Sequence, residues 1–319
     1  MVKHIYSSII PKLGEWLANG IVNDISKSRN PRLKKLIMSV ILKFIDPSVS
    51  VIIGNKKLKM RLSHKAPYFY STSPNYDRAL PRVCKSIQKV DQYLIIVDIG
   101  ANIGDTAYLI SEKVSGASIL CIEGDKNFLP FLYENTSEIN NNVITIEPKY
   151  CVDEPDNNSF NIVNKNGTAH LSISDHNKVE NIDTLDNMLK NNNTFQKANI
   201  LKIDTDGFEM LVLNGARELL KQTHPVIFFE FTPSAYVVNK QNPLDLINFL
   251  FSLGYNKALF YDNFGNPLEI YSFADTSGIS NLIGKIDRNK VYYYDVLCIH
   301  ATDDKKYLNI LKSELHYSK

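Results

Sequence analysis

No Cys-x-x-Cys pair occurs in the chain. Cys84, Cys121, Cys151 and Cys298 are scattered, and two of them lie in apolar, strand-like runs. That pattern favours reduced core thiols of a cytoplasmic protein over disulfides or zinc ligands. No apolar run approaches the ~20 residues of a membrane span. The stretch after Lys3 and His4 is too broken by polar side chains for a signal peptide. Charge of one sign is in short supply: 36 Lys and Arg against 34 Asp and Glu leave +2, without the basic field that nucleic-acid binding needs. Also missing are the Gly-x-Gly-x-x-Gly of a dinucleotide turn and the Lys of a phosphate-binding P-loop. What is present is 319 residues at 44% hydrophobic, enough for a full α/β core and an accessory segment.

The most telling stretch is 94–105, Leu-Ile-Ile-Val-Asp-Ile-Gly-Ala-Asn-Ile-Gly-Asp. A buried-strand run passes at once into two glycines flanked by acids. Gly100 and Gly104 allow a tight turn and close approach of a bound group, and a helix beginning near Asp105 points its N–H groups into the same crevice. Asp98 and Asp105 would repel a pyrophosphate and favour a cationic ligand; S-adenosylmethionine carries a sulfonium and an ammonium. The plain alternative is an ordinary βα turn. A second strand, 117–122, ends in Glu123, 25 residues after Asp98. That is close to the ~20-residue offset at which a strand-end acid bonds ribose hydroxyls in nucleoside-binding α/β folds, which makes Glu123 the expected ribose ligand.

Organisation changes near residue 90. Residues 1–47 read as two or three short helices, with Ile10, Leu13, Trp16 and Leu17 at helical spacing and a proline opening 31–45. The basic, apolar 31–45 admits weak membrane-surface contact at the inner face, against packing on its own domain. Val51–Ile53 and Leu58–Leu62 flank a turn and predict a hairpin. The aromatic stretch Pro67–Tyr70 with Tyr76 either lines an acceptor pocket or covers the core. From 91 onward, strands expected at 94–98, 117–122, 143–147, 199–203, 225–230 and 291–299 alternate with helices, the pattern of a parallel, doubly wound sheet. Hairpins are expected at 159–173 and 258–271, the latter with an antiparallel final strand. The expected division is an accessory segment, 1–90, and a catalytic domain, 91–319.

The second constellation is Asn199-Ile-Leu-Lys-Ile-Asp-Thr-Asp-Gly-Phe-Glu209. A strand delivers Asp204 to its carboxyl end, where open α/β sheets bind ligands. Asp206 and Glu209, three apart, would share one side of a helical turn. Three carboxylates this close raise at least one proton affinity unless a cation sits among them. Capping and helix-dipole compensation are the structural alternative, and Glu209 suits it best. No metal is assigned; Mg²⁺ held by Asp204 and Asp206 is the alternative.

Together, Val97–Asp105, Ile122-Glu123, Thr184-Leu185-Asp186, Leu201–Glu209 and Ile227–Glu230 resemble the FkbM-type S-adenosylmethionine-dependent methyltransferases over roughly 95–299. The resemblance implies a class I methyltransferase-like, Rossmann-like sheet with an antiparallel C-terminal strand. It also implies O-methylation of a hydroxyl on a sugar of a polysaccharide, glycolipid or related secondary metabolite. Cofactor contacts are carried to Asp98, Gly100, Ala101, Asn102, Gly104, Asp105 and Glu123, with adenine contacts near Cys151 and Asp153. Two departures stand out: Asp206 occupies a position usually held by Glu, and Lys149–Asp153 lacks the small residues expected after the third strand.

Methyl transfer to a weakly acidic hydroxyl calls for a base, and the candidates are Asp204, Glu230 and His224, the last of which can equally be a turn residue before Pro225. Two other classes fit parts of the pattern: a non-catalytic nucleoside-binding scaffold of a glycan-assembly system, and a nicotinamide-dependent oxidoreductase, which the missing glycine fingerprint disfavours.

Overall fold

The computed structural model of the chain describes residues 46–64, 66, 69, 70, 73, 75–154, 160–165, 168–173, 181–238, 241–286 and 291–317. The helices expected within 1–47, and Pro67 and Tyr68 of the aromatic stretch, lie outside these residues. The chain divides into two compact units: Met1–Thr72 with Asn164–Ala169, and Ser73–Val163 with His170–Lys319.

In the smaller unit, β1 (Ser48–Ile53) and β2 (Lys56–Arg61) form the expected antiparallel hairpin. It turns at Gly54 with φ +62°, and alternate residues Val49, Ile53, Leu58 and Met60 are buried. Asp46 fastens its exit by accepting from the Ser63 N–H and hydroxyl.

The larger unit is built on one eight-stranded sheet. Its strands are β3 (Ile95–Ile99), β4 (Ser118–Ile122), β5 (Val143–Glu147), β10 (Ile200–Ile203), β11 (Val226–Phe231), β12 (Tyr255–Asp262), β13 (Pro267–Ser272) and β14 (Tyr294–His300). The spatial order is β13-β12-β14-β11-β10-β3-β4-β5. β5, β4, β3, β10 and β11 run parallel, and β14 enters antiparallel between β11 and β12. This is the doubly wound, mostly parallel sheet expected from the alternation, and observed and expected strands differ at most by a few terminal residues. Short pairs β6–β9 (Tyr150–Cys151 with Ile182–Asp183) and β7–β8 (Phe160–Lys165 with Thr168–Ile173) lie outside it.

Strand residues alternate between two cores. Val97, Ile99, Leu201, Ile203 and Phe229 belong to one, covered by the helices that follow β9, β10 and β11. Ile96, Ile119, Ile200 and Leu259 belong to the other, which includes residues of α1 (Ala79–Asp91), α2 (Asp105–Ser111) and α10 (Asp304–Leu315). α1 presents Leu80, Val83, Cys84 and Ile87 to this core, and Arg82 pairs with Glu314 of α10 at 2.9 Å. The helix that the sequence division leaves in the accessory segment therefore packs within the sheet-bearing unit. The four cysteines are free and buried.

Candidate active site

β3, β10 and β11 run parallel side by side, so Gly100, Asp204 and Glu230 arrive at the same end of the sheet. After β3 the chain folds back on β4: the N–H groups of Gly100 and Ala101 both donate to the Ile122 carbonyl, at 3.0 and 3.1 Å. Three left-handed residues shape this loop, expected to hold the methyl donor and called the donor loop below: Gly100 (φ +76°), Asn102 (φ +49°) and Gly104 (φ +84°). At Gly104 a Cβ would meet Thr136 and Leu132 of α3 (Leu129–Thr136) within 3.0 Å, so the glycine also lets α3 close on the loop. Asp105 opens α2.

Glu123 sits at the end of β4, 8% exposed. Its Oε2 accepts from the Asn102 N–H and its Oε1 from the Asp125 N–H, each at 2.8 Å. Each oxygen keeps a lone pair. Burial pushes its carboxyl up to about 7, against the pull of these two N–H groups. Next to it, the Asp125 Oδ2 and the Tyr150 hydroxyl are buried with no hydrogen-bond partner among the described residues, and both charges, Asp125 and Glu123, act on Tyr150. The Tyr150 ring lies where a Cβ on Gly124 would stand. An unpaired buried acceptor and hydroxyl beside a strand-end acid suit a nucleoside, which brings donors, acceptors and a flat base. Sequence reasoning missed Asp125 and Tyr150; the Glu-Gly-Asp run was the available signal for the first. Asp153 lies past β6, where its backbone packs on Gly215 and its carboxylate accepts from the Glu154 N–H.

Asp98 is fully buried. Lys202 stands directly opposite it in the β3–β10 register and pairs with its Oδ1 at 3.0 Å. Burial raises the Asp98 carboxyl and Lys202 pulls it down; among the described residues neither carboxylate oxygen has a hydrogen bond of regular geometry, so the Lys202 ammonium compensates it by charge. Asp98 thus reaches the site as half of an ion pair. Lys202 was also missed; a lysine amid the apolar 200–203 was its signal.

Asp204 is the open carboxylate, with 43% of its side-chain surface accessible. Desolvation in the cleft raises its proton affinity, Lys202 opposes this, and Asp206 and Asp98 add to it. Glu230 takes the Thr232 hydroxyl at 2.7 Å and lies opposite Asp295 of β14. Burial, then Asp204 and Asp206, push its carboxyl well above the usual range, and burial with Asp77 and Asp204 does the same to Asp295. Tyr76 and Tyr293 stand close enough to feel the charge of Glu230.

Glu209 is structural, as its buried place shows. It is 0% exposed; its Oε1 accepts from the N–H and hydroxyl of Thr205 and from the Gly207 N–H, and its Oε2 from the Tyr236 hydroxyl. It therefore holds the loop that carries Asp206. Asp206 does not share a helical face with it: α5 (Glu209–Asn214) begins only at Glu209, and Asp206 precedes it with φ +54°.

His224 is not brought to this site. It lies just before β11 (Val226–Phe231), at the strand's amino end, with Glu230 six residues on and ~20 Å away at strand rise. There it ends α6 (Arg217–Thr223) in the left-handed conformation, and its ring stacks on His300 with centroids 3.8 Å apart. It is the turn residue of the two readings.

A family model described as the methyltransferase FkbM domain matches residues 98–257, which spans the donor loop, Glu123, Asp204 and Glu230. Among solved structures, the chain is similar to a methyltransferase FkbM from Methylobacillus flagellatus KT, at 21% identity and TM-score 0.36 over 52% of this chain and 40% of that one. It is also similar to a putative O-methyltransferase from Klebsiella pneumoniae, at 12% identity and TM-score 0.40 over 73% and 90%. A third is the magnesium protoporphyrin IX methyltransferase from Synechocystis PCC 6803 with bound SAH, at 10% identity and TM-score 0.38 over 72% and 86%. The chain thus spans well under half of the first of these. No curated protein matches it.

Proposed function

The chain belongs to the FkbM methyltransferase domain family, and on that premise we propose that it is an S-adenosylmethionine-dependent O-methyltransferase acting on a hydroxyl of a sugar, in a polysaccharide, a glycolipid or a related secondary metabolite. The observation that carries the reading is the backbone contact between the donor loop and the strand end bearing Asp204: the Gly100 Cα stands so close to the Asp204 carbonyl that a Cβ would lie 1.9 Å from its oxygen. A nucleoside-type site and an open carboxylate are thereby held side by side.

Glu123 and the donor loop 100–105 would hold the cofactor, Glu123 through the ribose hydroxyls, with Asp125 and Tyr150 beside it. Bound there, S-adenosylmethionine supplies an electrophilic methyl group on sulfur. The protein aligns the acceptor oxygen for in-line attack, which is worth up to ~7–11 kcal/mol. Asp204 accepts the hydroxyl proton as the acceptor oxygen gains the methyl group, a contribution of about 10²–10⁴-fold. Its raised proton affinity suits that task. Glu230, opposite Asp295, holds a proton more tightly, and orients the acceptor by a hydrogen bond. Tyr76 and Tyr293 offer flat surfaces for a sugar ring.

Incubating the protein with methyl-labelled S-adenosylmethionine and a crude glycan or glycolipid extract tests this: label in the glycan supports it, whereas label only in nitrogen-containing acceptors, or none, refutes it. A non-catalytic scaffold would bind S-adenosylhomocysteine without turnover, and an oxidoreductase would be stabilised by NAD instead.

A further inference from the structure

A lysine inside a central strand of a parallel sheet is costly, because a buried ammonium must replace its hydration with acceptors. Lys202 has three. Its Nζ donates to the Gly100 carbonyl at 3.0 Å, and lies 3.0 Å from Asp98 Oδ1 and 3.4 Å from Asp204 Oδ2. The Gly100 carbonyl takes a hydrogen bond, and the two carboxylates balance the charge as ion-pair partners. Asp98 and Gly100 belong to the donor loop and its strand; Asp204 is the proton-accepting group of the proposed reaction.

We propose that Lys202 is the positioning residue of the transfer: through its ammonium, the donor loop fixes where the Asp204 carboxylate stands, without Lys202 itself touching donor or acceptor. The inference rests on the reading of Asp204 given above. A core ion pair alone would need only Asp98, its cross-strand partner. The third contact reaches out of the core to the side chain that is 43% open to the cleft.

The charges around Asp204 show what the contact does. Asp98 from β3, Asp206 from the following loop, Glu230 from β11 and Asp295 from β14 all face it, as does the Tyr76 hydroxyl. Each of the acids favours a protonated Asp204, which could accept no proton. Lys202 is the cation set against them, within the range at which an opposite charge holds a carboxylate ionised.

The test is the carbon-13 carboxyl titration of Asp204 in the full-length protein, identified by its loss in Asp204→Asn. It is run on wild type, Lys202→Met, Asp98→Asn and the double variant Asp98→Asn/Lys202→Met, in which no unpaired buried charge remains if Lys202→Met alone does not fold. Removing Lys202 should raise the Asp204 midpoint by about one pH unit or more, in the wild-type or the Asp98→Asn background. Methyl transfer should show its acid limb displaced by the same amount, with kcat reduced and acceptor KM nearly unchanged. An Asp204 midpoint that stays put in a folded variant overturns the inference. A moved midpoint in a protein whose wild type transfers no methyl group keeps the Lys202–Asp204 link and refutes the methyltransferase reading instead.

Discussion

A Cβ on Gly100 would lie 1.9 Å from the carbonyl oxygen of Asp204, with φ at +76°. The donor loop and the strand end of the candidate base are thus in backbone contact, and there is no room between them for a side chain. Gly100→Ala should therefore act at both ends of the site. The left-handed conformation alone costs roughly 1–2 kcal/mol for a residue with a Cβ, and the clash adds to it. The expected result is a thermal midpoint lower by several degrees and loss of S-adenosylhomocysteine binding by calorimetry. Undiminished binding would show that the loop and Asp204 can part without consequence.

In its proposed ribose-binding role, Glu123 ties cofactor binding to pH. Its folded carboxyl is raised to about 7 by burial, above its unfolded value of ~4.3. Between those values the folded state binds the extra proton, so this group's contribution to stability declines as pH rises through that window. Ribose hydroxyls donate to the ionised form, so cofactor binding should release a proton near pH 7 and weaken from pH 8 to pH 6. Calorimetry in buffers of different ionisation enthalpy measures the proton directly. Glu123→Gln should abolish the release, and Glu123→Ala should weaken binding markedly in a folded protein.

Glu209 has a different job from its neighbours. Removing its carboxylate strands the Thr205 and Gly207 N–H groups and the Tyr236 hydroxyl in the interior, at a cost of about 1–3 kcal/mol for each unsatisfied group. Glu209→Ala should lower stability by several kcal/mol in denaturant unfolding. A change under about 1 kcal/mol would show that the loop is held by other means.

The sheet was largely legible because its strands are short apolar runs closed by acids or glycines, and the terminal hairpin announced the antiparallel β14. That the glycine turn after β3 and the acid ending β4 come together was legible from their spacing, and the Asn102 N–H does reach Glu123. Two features were not, besides Asp125 and Tyr150. Lys202 hides within a strand motif, and its significance appears only when register puts Asp98 opposite. Asp206 and Glu209 have helical spacing, but the left-handed Asp206 and Gly207 delay the helix to Glu209. His224 was excluded by a rule available from the start: a residue before a parallel strand lies at the end opposite the ligand crevice.

Transfer without a metal is expected, with Lys202 supplying the positive charge beside Asp204. Activity should survive prolonged chelation with EDTA and be unaffected by added Mg²⁺. Activity lost to the chelator and restored by Mg²⁺ would place the ion among Asp204 and Asp206.

The most direct test of the account is methyl transfer from labelled S-adenosylmethionine to a glycan or glycolipid extract, comparing wild type with Asp204→Asn, which keeps the shape and removes the base. The account predicts label on glycan hydroxyls with the wild type. It also predicts a loss of turnover on the order of 10²-fold or more in the variant, with S-adenosylhomocysteine affinity nearly unchanged. Near-normal transfer by Asp204→Asn, or no transfer by the wild type, would contradict it.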